Sequence, residues 1–214
     1  MSDTVLIPGG REVRAALDTA TGTDTDDPTD ADADPTAAVV ACPPDPRHGG
    51  RRSDARLVAV SDAVTAGGVD CLRVGYGEYD EGYGERADAD NAVGWALDRY
   101  DRVGLFGFSF GGAIALVAGA ERPALRGVCA LAPPARLASD LDAVAALDRL
   151  ADRDLPVRVV CATRDSTVDW EPVAERAREL GGDVVSIDAD HGFVGRRNDV
   201  ADAVAEAFDR WLAA

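Results

Sequence analysis

The 214-residue sequence contains no lysine, so its 22 basic residues are all arginines, and they are outnumbered by 39 aspartates and glutamates. The net charge is −17 and the sequence pI is near 4.4. Binding to nucleic acid requires a basic face, and anionic membranes attract basic segments. The composition therefore argues against a nucleic acid or a membrane as partner.

Cysteine is also scarce. Cys42, Cys71, Cys129 and Cys161 show no C-x-x-C or Cys/His spacing, which argues against a zinc site or a disulfide framework. We interpret them as small buried hydrophobic residues of a cytoplasmic protein. No apolar run reaches the length of a membrane span, and the first residues lack the basic and apolar regions of a signal peptide.

Acidic proteins can be disordered, but 46% of these residues are hydrophobic and they fall in periodic blocks. We therefore expect a single folded domain over residues 1–214. The excess of aspartate is typical of salt-loving organisms, and we interpret it as a solvated surface of haloarchaeal type. Residues 19–36 are a low-complexity acidic stretch that predicts a loop. It lacks the glycine turn and distal glutamate of a calcium loop.

The apolar segments predict a doubly wound α/β sheet. Thr4–Pro8 and Glu12–Ala16 flank Gly9-Gly10, which favours an antiparallel N-terminal hairpin. Later strands and helices alternate, which predicts a mostly parallel sheet with ligands at its carboxyl edge. The predicted strands are Ala37–Cys42, Asp70–Val74, Arg102–Phe108, Gly127–Ala132, Val157–Thr163 and Asp183–Asp188. The predicted helices are Asp54–Ala66, Arg86–Tyr100, Phe110–Ala120, Leu141–Ala151, Glu171–Leu180 and Asp199–Ala213.

Gly107-Phe108-Ser109-Phe110-Gly111 matches the nucleophile elbow G-x-S-x-G and lies between a predicted strand and a predicted helix. The flanking glycines permit the sharp turn that projects a serine hydroxyl above the sheet. Ser109 is therefore the candidate nucleophile.

A serine nucleophile needs a base, and the chain offers two histidines, His48 and His191. His191 directly follows the last predicted strand, so we favour it. The base needs an acid to orient it. Asp165 follows the strand Val157–Thr163 and is the preferred candidate; Asp169, Asp188 and Asp190 compete with it. The order Ser109, Asp165, His191 is that of an α/β-hydrolase.

The oxyanion hole is expected to use the backbone N–H of Phe110 and one N–H from the loop after the strand Ala37–Cys42. Prolines in that loop have no N–H, which leaves Asp45 as the preferred donor and Arg47 as the alternative. The candidate pocket residues are Tyr76 and Tyr83, with Tyr79 nearby, and Phe108. For the tyrosines, a role as surface turn residues is an open alternative.

The chain after Ala37 resembles the small α/β-hydrolases without a cap domain that are related to dienelactone hydrolases. The resemblance is carried by Pro43-Pro44…Gly49-Gly50, Arg73–Glu78 with Gly82–Glu85, Gly107–Gly112, Ala132–Ala135, Asp165–Val168 and Asp190–Phe193. Dienelactone hydrolases themselves use cysteine at the elbow, so Ser109 argues against that particular activity. The resemblance implies transfer of an acyl group from a small-molecule substrate to water, with no cofactor and no metal.

These observations favour a serine hydrolase that cleaves a carboxylic ester or a related acyl bond through an acyl-enzyme. Two alternatives remain open. An acyltransferase or perhydrolase would use the same three residues, and a non-catalytic binding protein would keep the fold alone. The sequence does not specify the natural substrate or the oligomeric state.

Overall fold

Eight strands and six helices lie in the part of the chain that the computed structural model describes, residues 2–20 and 36–213. The strands are β1 (Ser2–Ile7), β2 (Val13–Asp18), β3 (Ala37–Cys42), β4 (Asp70–Arg73), β5 (Arg102–Phe108), β6 (Val128–Leu131), β7 (Val157–Ala162) and β8 (Asp183–Ile187). The helices are α1 (Ala55–Ala66), α2 (Tyr83–Leu97), α3 (Phe110–Gly119), α4 (Ala143–Ala151), α5 (Glu171–Glu179) and α6 (Arg197–Trp211). A 3₁₀ turn covers Pro46–His48.

The strands form one sheet in the order β1-β2-β4-β3-β5-β6-β7-β8. The β1–β2 hairpin is antiparallel and joins β4 in antiparallel register, whereas β3 to β8 are parallel to one another. The predicted mostly parallel, doubly wound sheet with antiparallel N-terminal strands is confirmed. Most of the predicted acidic loop, residues 21–35, lies outside the described residues.

Helices cover both faces of the sheet. Helices α1 and α6 pack together on one face, and α2, α3, α4 and α5 lie on the other. Strand β3 is buried along its whole length, which explains its continuous apolar sequence. Between β6 and β7 the only described helix is α4, so the chain inserts no cap domain above the carboxyl edge.

Helix α2 differs most from its sequence prediction, because it begins at Tyr83 and not at Arg86. The buried Glu85 carboxylate accepts hydrogen bonds from the N–H groups of Gly82 (2.8 Å) and Asp80 (3.0 Å), which fixes an earlier start. Gly82 and Gly84 flank Tyr83, and because glycine has a low helix propensity, the sequence does not predict a helix start at this position. The shift moves Tyr83 from the preceding loop into the first helical turn.

Candidate active site

The carboxyl ends of four strands bring the predicted site residues to one edge of the sheet. Cys42 at the end of β3 pairs with Gly107 near the end of β5, so the loop after β3 lies beside the elbow. Ala162 pairs with Ile187 at the ends of β7 and β8. Asp165 and His191 follow those two strand ends.

Ser109 occupies the sharp turn between β5 and α3. Its backbone has φ 55° and ψ −122°, a conformation that costs free energy in a non-glycine residue. The Ser109 N–H donates to the Leu131 carbonyl at 2.7 Å and ties the turn to β6. A Cβ at Gly107 would overlap the backbone of Gly111, and one at Gly111 would overlap the Cys42 and Pro43 carbonyl groups. Glycine is therefore required on both sides of the serine.

Three side chains form a hydrogen-bonded chain at this edge. Ser109 Oγ lies 2.9 Å from His191 Nε2, and His191 Nδ1 lies 2.6 Å from Asp165 Oδ2. A carboxylate can only accept a hydrogen bond, so His191 Nδ1 carries the ring proton and its N–H donates a hydrogen bond to Asp165. This tautomer leaves the Nε2 lone pair to accept the Ser109 hydroxyl proton. The arrangement can transfer a proton away from Ser109 as its oxygen attacks an electrophile.

Asp165 is held in place by its own loop. Its side chain is fully buried, and Oδ1 accepts the Thr167 N–H at 2.8 Å while Oδ2 faces His191. The competing acids do not contact the imidazole. Asp188 pairs with Arg164, and Asp190 accepts the Val194 N–H at 3.2 Å. Asp169 accepts a backbone hydrogen bond from Ala135. The structure thus brings together the preferred set of three.

The His191 ring is positioned by aromatic packing. The Phe108 ring lies 5.4 Å from it, tilted by 32°, and Phe193 meets Phe108 edge-on at 6.3 Å. The guanidinium of Arg56 lies over the Phe108 ring, 4.6 Å from its centroid. Phe193 is fully buried at φ 50°, so it anchors the loop that carries His191. His48, the other histidine, is largely exposed and lies near Asp45, at 3.5 Å.

Ser109 and His191 open into a cavity of about 480 Å³, a volume suited to a small-molecule ligand. Apolar and backbone groups form part of its wall, and arginines and acids form the rest. The lining residues include Asp45, Arg47, Asp54, Arg56, Tyr79, Glu81, Phe110 and Arg136. A larger cavity of about 650 Å³ lies at the opposite edge, by the starts of β7 and β8, and none of the predicted site residues lines it.

Only some of the residues predicted for the pocket line this cavity. Phe108 lines the cavity, but Tyr76 and Tyr83 do not, and Tyr79 lies there instead. The Tyr76 ring packs edge-on against the Phe110 ring, with the centroids 6.2 Å apart, and burial raises the pKa of the Tyr76 hydroxyl well above its ordinary value. Tyr83, displaced by the early start of α2, donates its hydroxyl proton to Asp140 at 2.5 Å. The sequence does not show which side chains of the loop between β4 and α2 are directed toward the cavity.

Two backbone N–H groups of residues that line the same cavity as Ser109 donate no hydrogen bond within residues 2–20 and 36–213. The Phe110 N–H begins α3, where helical geometry provides no partner and favours negative charge. The Asp45 N–H likewise has no acceptor among the described residues, whereas the Arg47 N–H donates to Asp45 Oδ1 at 2.9 Å. The geometry therefore favours Asp45 over Arg47 as the second oxyanion donor. Burial alone would raise the pKa of the Asp45 carboxyl, but hydrogen bonds from Arg47 lower it below its ordinary value.

Neither a metal cluster nor a membrane helix is found in the described ranges. No three His, Cys, Asp or Glu side chains there lie close enough together to hold a metal ion. None of the described helices is both long and apolar enough to cross a bilayer.

No protein-family model matches the sequence, and the search among curated proteins finds no relative. Solved structures do match across nearly the whole chain. A serine hydrolase without lid from Xanthomonas campestris is 22% identical, with a TM-score of 0.76, and the match covers 100% of this chain and 96% of that one. Est1E from Butyrivibrio proteoclasticus, bound to ferulic acid, is 19% identical over 98% and 100% of the two chains, with a TM-score of 0.79.

A dienelactone hydrolase from Anabaena variabilis is also similar, at 20% identity and a TM-score of 0.73, over 99% of this chain and 98% of that one. At these identities the similarity shows the fold. The chain has the α/β-hydrolase fold without a cap domain, as the sequence predicted.

Proposed function

We propose that this protein is a serine esterase that hydrolyses a carboxylic ester of a small molecule through an acyl-enzyme. The observation that carries the proposal is the hydrogen-bonded chain from Ser109 through His191 to the buried Asp165, open to a cavity at the carboxyl edge. Solved neighbours that are named as esterases and serine hydrolases support the same class of reaction. In this proposal the three side chains form a catalytic triad.

In the first half of the reaction, Ser109 Oγ bonds to the ester carbonyl carbon while His191 Nε2 takes the hydroxyl proton. The carbonyl oxygen becomes an oxyanion, which the N–H groups of Phe110 and Asp45 stabilise. Asp165 stabilises the resulting imidazolium. When the tetrahedral intermediate collapses, the bond to the alcohol oxygen breaks and His191 returns the proton to that oxygen.

In the second half, water attacks the acyl-enzyme and His191 accepts a proton from it. Collapse of this second intermediate releases the carboxylic acid and restores the Ser109 hydroxyl. Because no cap covers the described cavity, water has access to the acyl group. This access favours hydrolysis over transfer to another acceptor, for which the same triad would serve.

The proposal is tested with a fluorophosphonate probe and a panel of short-chain and aryl esters. We expect Ser109-dependent labelling, and loss of ester hydrolysis in Ser109→Ala by a factor on the order of 10³ or more. Ser166→Ala removes an exposed serine close to Asp165 and is the matched control. Equal rates for the wild type and Ser109→Ala would refute both catalytic functions, hydrolysis and acyl transfer. Product analysis with added alcohol or peroxide separates those two.

We also infer that the enzyme works in salty cytoplasm. The net charge of −17 produces self-repulsion that salt screens, and the four cysteines are free and buried, which suits a reducing compartment. The melting temperature should therefore rise between about 0.1 and 2 M KCl. A melting temperature that falls over this range would contradict the inference. The same charge supports the absence of a nucleic acid or membrane partner.

A further inference from the structure

Among the charged groups that line the cavity, the arginines all have acidic partners and one acid has none. The pairs are Arg47 with Asp45 at 2.7 Å, Arg56 with Asp54 at 2.6 Å, and Arg136 with Asp142. Glu81 lines the same cavity and makes no hydrogen bond or ion pair with any described residue. Once the pairs cancel, the uncompensated charge of the wall is the Glu81 carboxylate.

The backbone of Glu81 is held in an unusual conformation. Its φ is 53°, in the left-handed region that a residue with a Cβ seldom adopts. The fully buried Glu85 carboxylate accepts hydrogen bonds from the backbone N–H groups of the two neighbours of Glu81, Asp80 at 3.0 Å and Gly82 at 2.8 Å. Strained residues of this kind cluster at functional sites, where the surrounding structure maintains them.

A second buried carboxylate holds the rest of the loop between β4 and α2. The buried Asp88 accepts the Gly77 N–H at 2.9 Å and the Nε–H of Arg11 at 2.8 Å, and Arg11 also donates to the Glu78 carbonyl. The turn of the N-terminal hairpin and helix α2 therefore clamp the loop together. Because the loop is clamped at several points, the Glu81 backbone is already ordered at the cavity wall, and only its side chain has conformational entropy to lose when a ligand binds.

We propose that the substrate carries a cationic group, such as an ammonium, which Glu81 recognises in the cavity. The inference rests on the proposed esterase function and names its substrate class. Glu81 is exposed to solvent, and its unpaired carboxylate on the cavity wall attracts a cation, as does the net charge of the whole protein. The paired arginines have no net charge to offer an anionic ester, so the same wall disfavours negatively charged substrates.

The test compares esters that differ only in charge. Butyrylcholine and neohexyl butyrate place the charge on the alcohol side, and the ethyl ester of γ-butyrobetaine and its all-carbon tert-butyl analogue place it on the acyl side. We expect kcat/KM to favour the cationic ester by up to about fivefold in one of these two pairs, the one that places its charge near Glu81. This factor is the value of an exposed ion pair. Glu81→Gln should abolish this preference, whereas Glu78→Gln, the same change at an exposed position outside the cavity wall, should keep it.

Binding to Ser109→Ala separates this inference from the proposed function. We expect calorimetry to show the cationic ester binding more tightly than its neutral analogue, with a difference that shrinks at high salt and disappears when Glu81→Gln is added. If both pairs bind equally, or if an anionic ester is preferred, the inference is wrong even where neutral esters are hydrolysed. If the cation preference depends on Glu81 but no ester is turned over, the inference holds and the esterase function fails.

Discussion

Asp165 and His191 are 26 residues apart in the sequence, yet the carboxylate Oδ2 lies 2.6 Å from the imidazole Nδ1. The parallel pairing of β7 with β8 produces this contact, because the two strands end side by side and each residue follows one of them. The Asp165 side chain is sealed from solvent, so its interaction with the imidazole is weakly screened. This relationship gives the first prediction.

Asp165→Asn is expected to lower kcat by about 10³- to 10⁴-fold, because an amide can impose the wrong imidazole tautomer and carries no charge to stabilise the imidazolium. The measurement is steady-state hydrolysis of the best ester of the panel. Asp188→Asn is the control, since that acid is exposed and pairs with Arg164 at the surface. Equal losses in the two variants would show that Asp165 has no special role.

Gly111→Ala is expected to destabilise the protein by about 1–3 kcal/mol, because its Cβ would overlap the Cys42 and Pro43 carbonyl groups, which belong to the backbone and move little. Gly94→Ala provides the contrast. That Cβ would meet only the Arg122 side chain, at 3.6 Å, and alanine in the interior of α2 should add about 0.5–1 kcal/mol of stability. Urea denaturation measures both, and a stable Gly111→Ala variant would contradict the close packing.

Asp18 should make stability depend on acid. Burial alone would raise its pKa, but hydrogen bonds from Arg73, Ser2 and Ser61 hold the pKa below the ordinary 3.8. A lowered folded-state pKa means that the stabilisation is complete above the unfolded value and is lost as the pH falls through the folded one. Asp18→Asn should therefore cost about 1–3 kcal/mol at neutral pH.

That cost should shrink steadily as the pH falls below about 4, because protonation of the Asp18 carboxyl then favours the unfolded wild type, until the folded carboxylate is protonated as well. Unfolding free energies at a series of pH values provide the test. Parallel curves for the wild type and Asp18→Asn would show that the pair with Arg73 makes no contribution to the pH dependence.

The four cysteines should be inert in the folded protein. Each is buried and unpaired, and burial raises the pKa of each thiol to about 12. Thiolates are the reactive species, so a thiol reagent at about pH 8 should label no cysteine in the native protein and all four after denaturation. Ester hydrolysis should survive the reagent. Rapid native labelling with loss of activity would instead indicate a cysteine nucleophile.

Much of the fold was accessible from the sequence because strands covered on both faces are short, continuous apolar runs. Strands β3 and β5 have the predicted ends, and the others differ by only a residue or two. The sequence indicated Ser109, Asp165 and His191 because each follows a strand end, and parallel strands bring their carboxyl ends to one edge of the sheet. Topology converted separate sequence positions into one site.

The cavity wall was not accessible in this way. Among 39 acids, nothing in the sequence marks Glu85 and Asp88 as buried or Glu81 as unpaired, because these states depend on partners from the hairpin and from α2. The buried Glu85 carboxylate also fixes the start of α2, which moves Tyr83 from the predicted loop into the helix. Pairing of charges across elements is a property of the packed structure.

The contact between Gly111 and the end of β3 has a consequence for directed evolution. In the proposed mechanism this backbone packing sets the spacing between the N–H groups of Phe110 and Asp45, so libraries that diversify residues 42–45 or 107–112 should yield mostly inactive clones. Glu81 and Arg136 lie on the cavity wall and outside that contact. Substitutions at these two positions should change which substrates are preferred and leave the proposed reaction steps as they are.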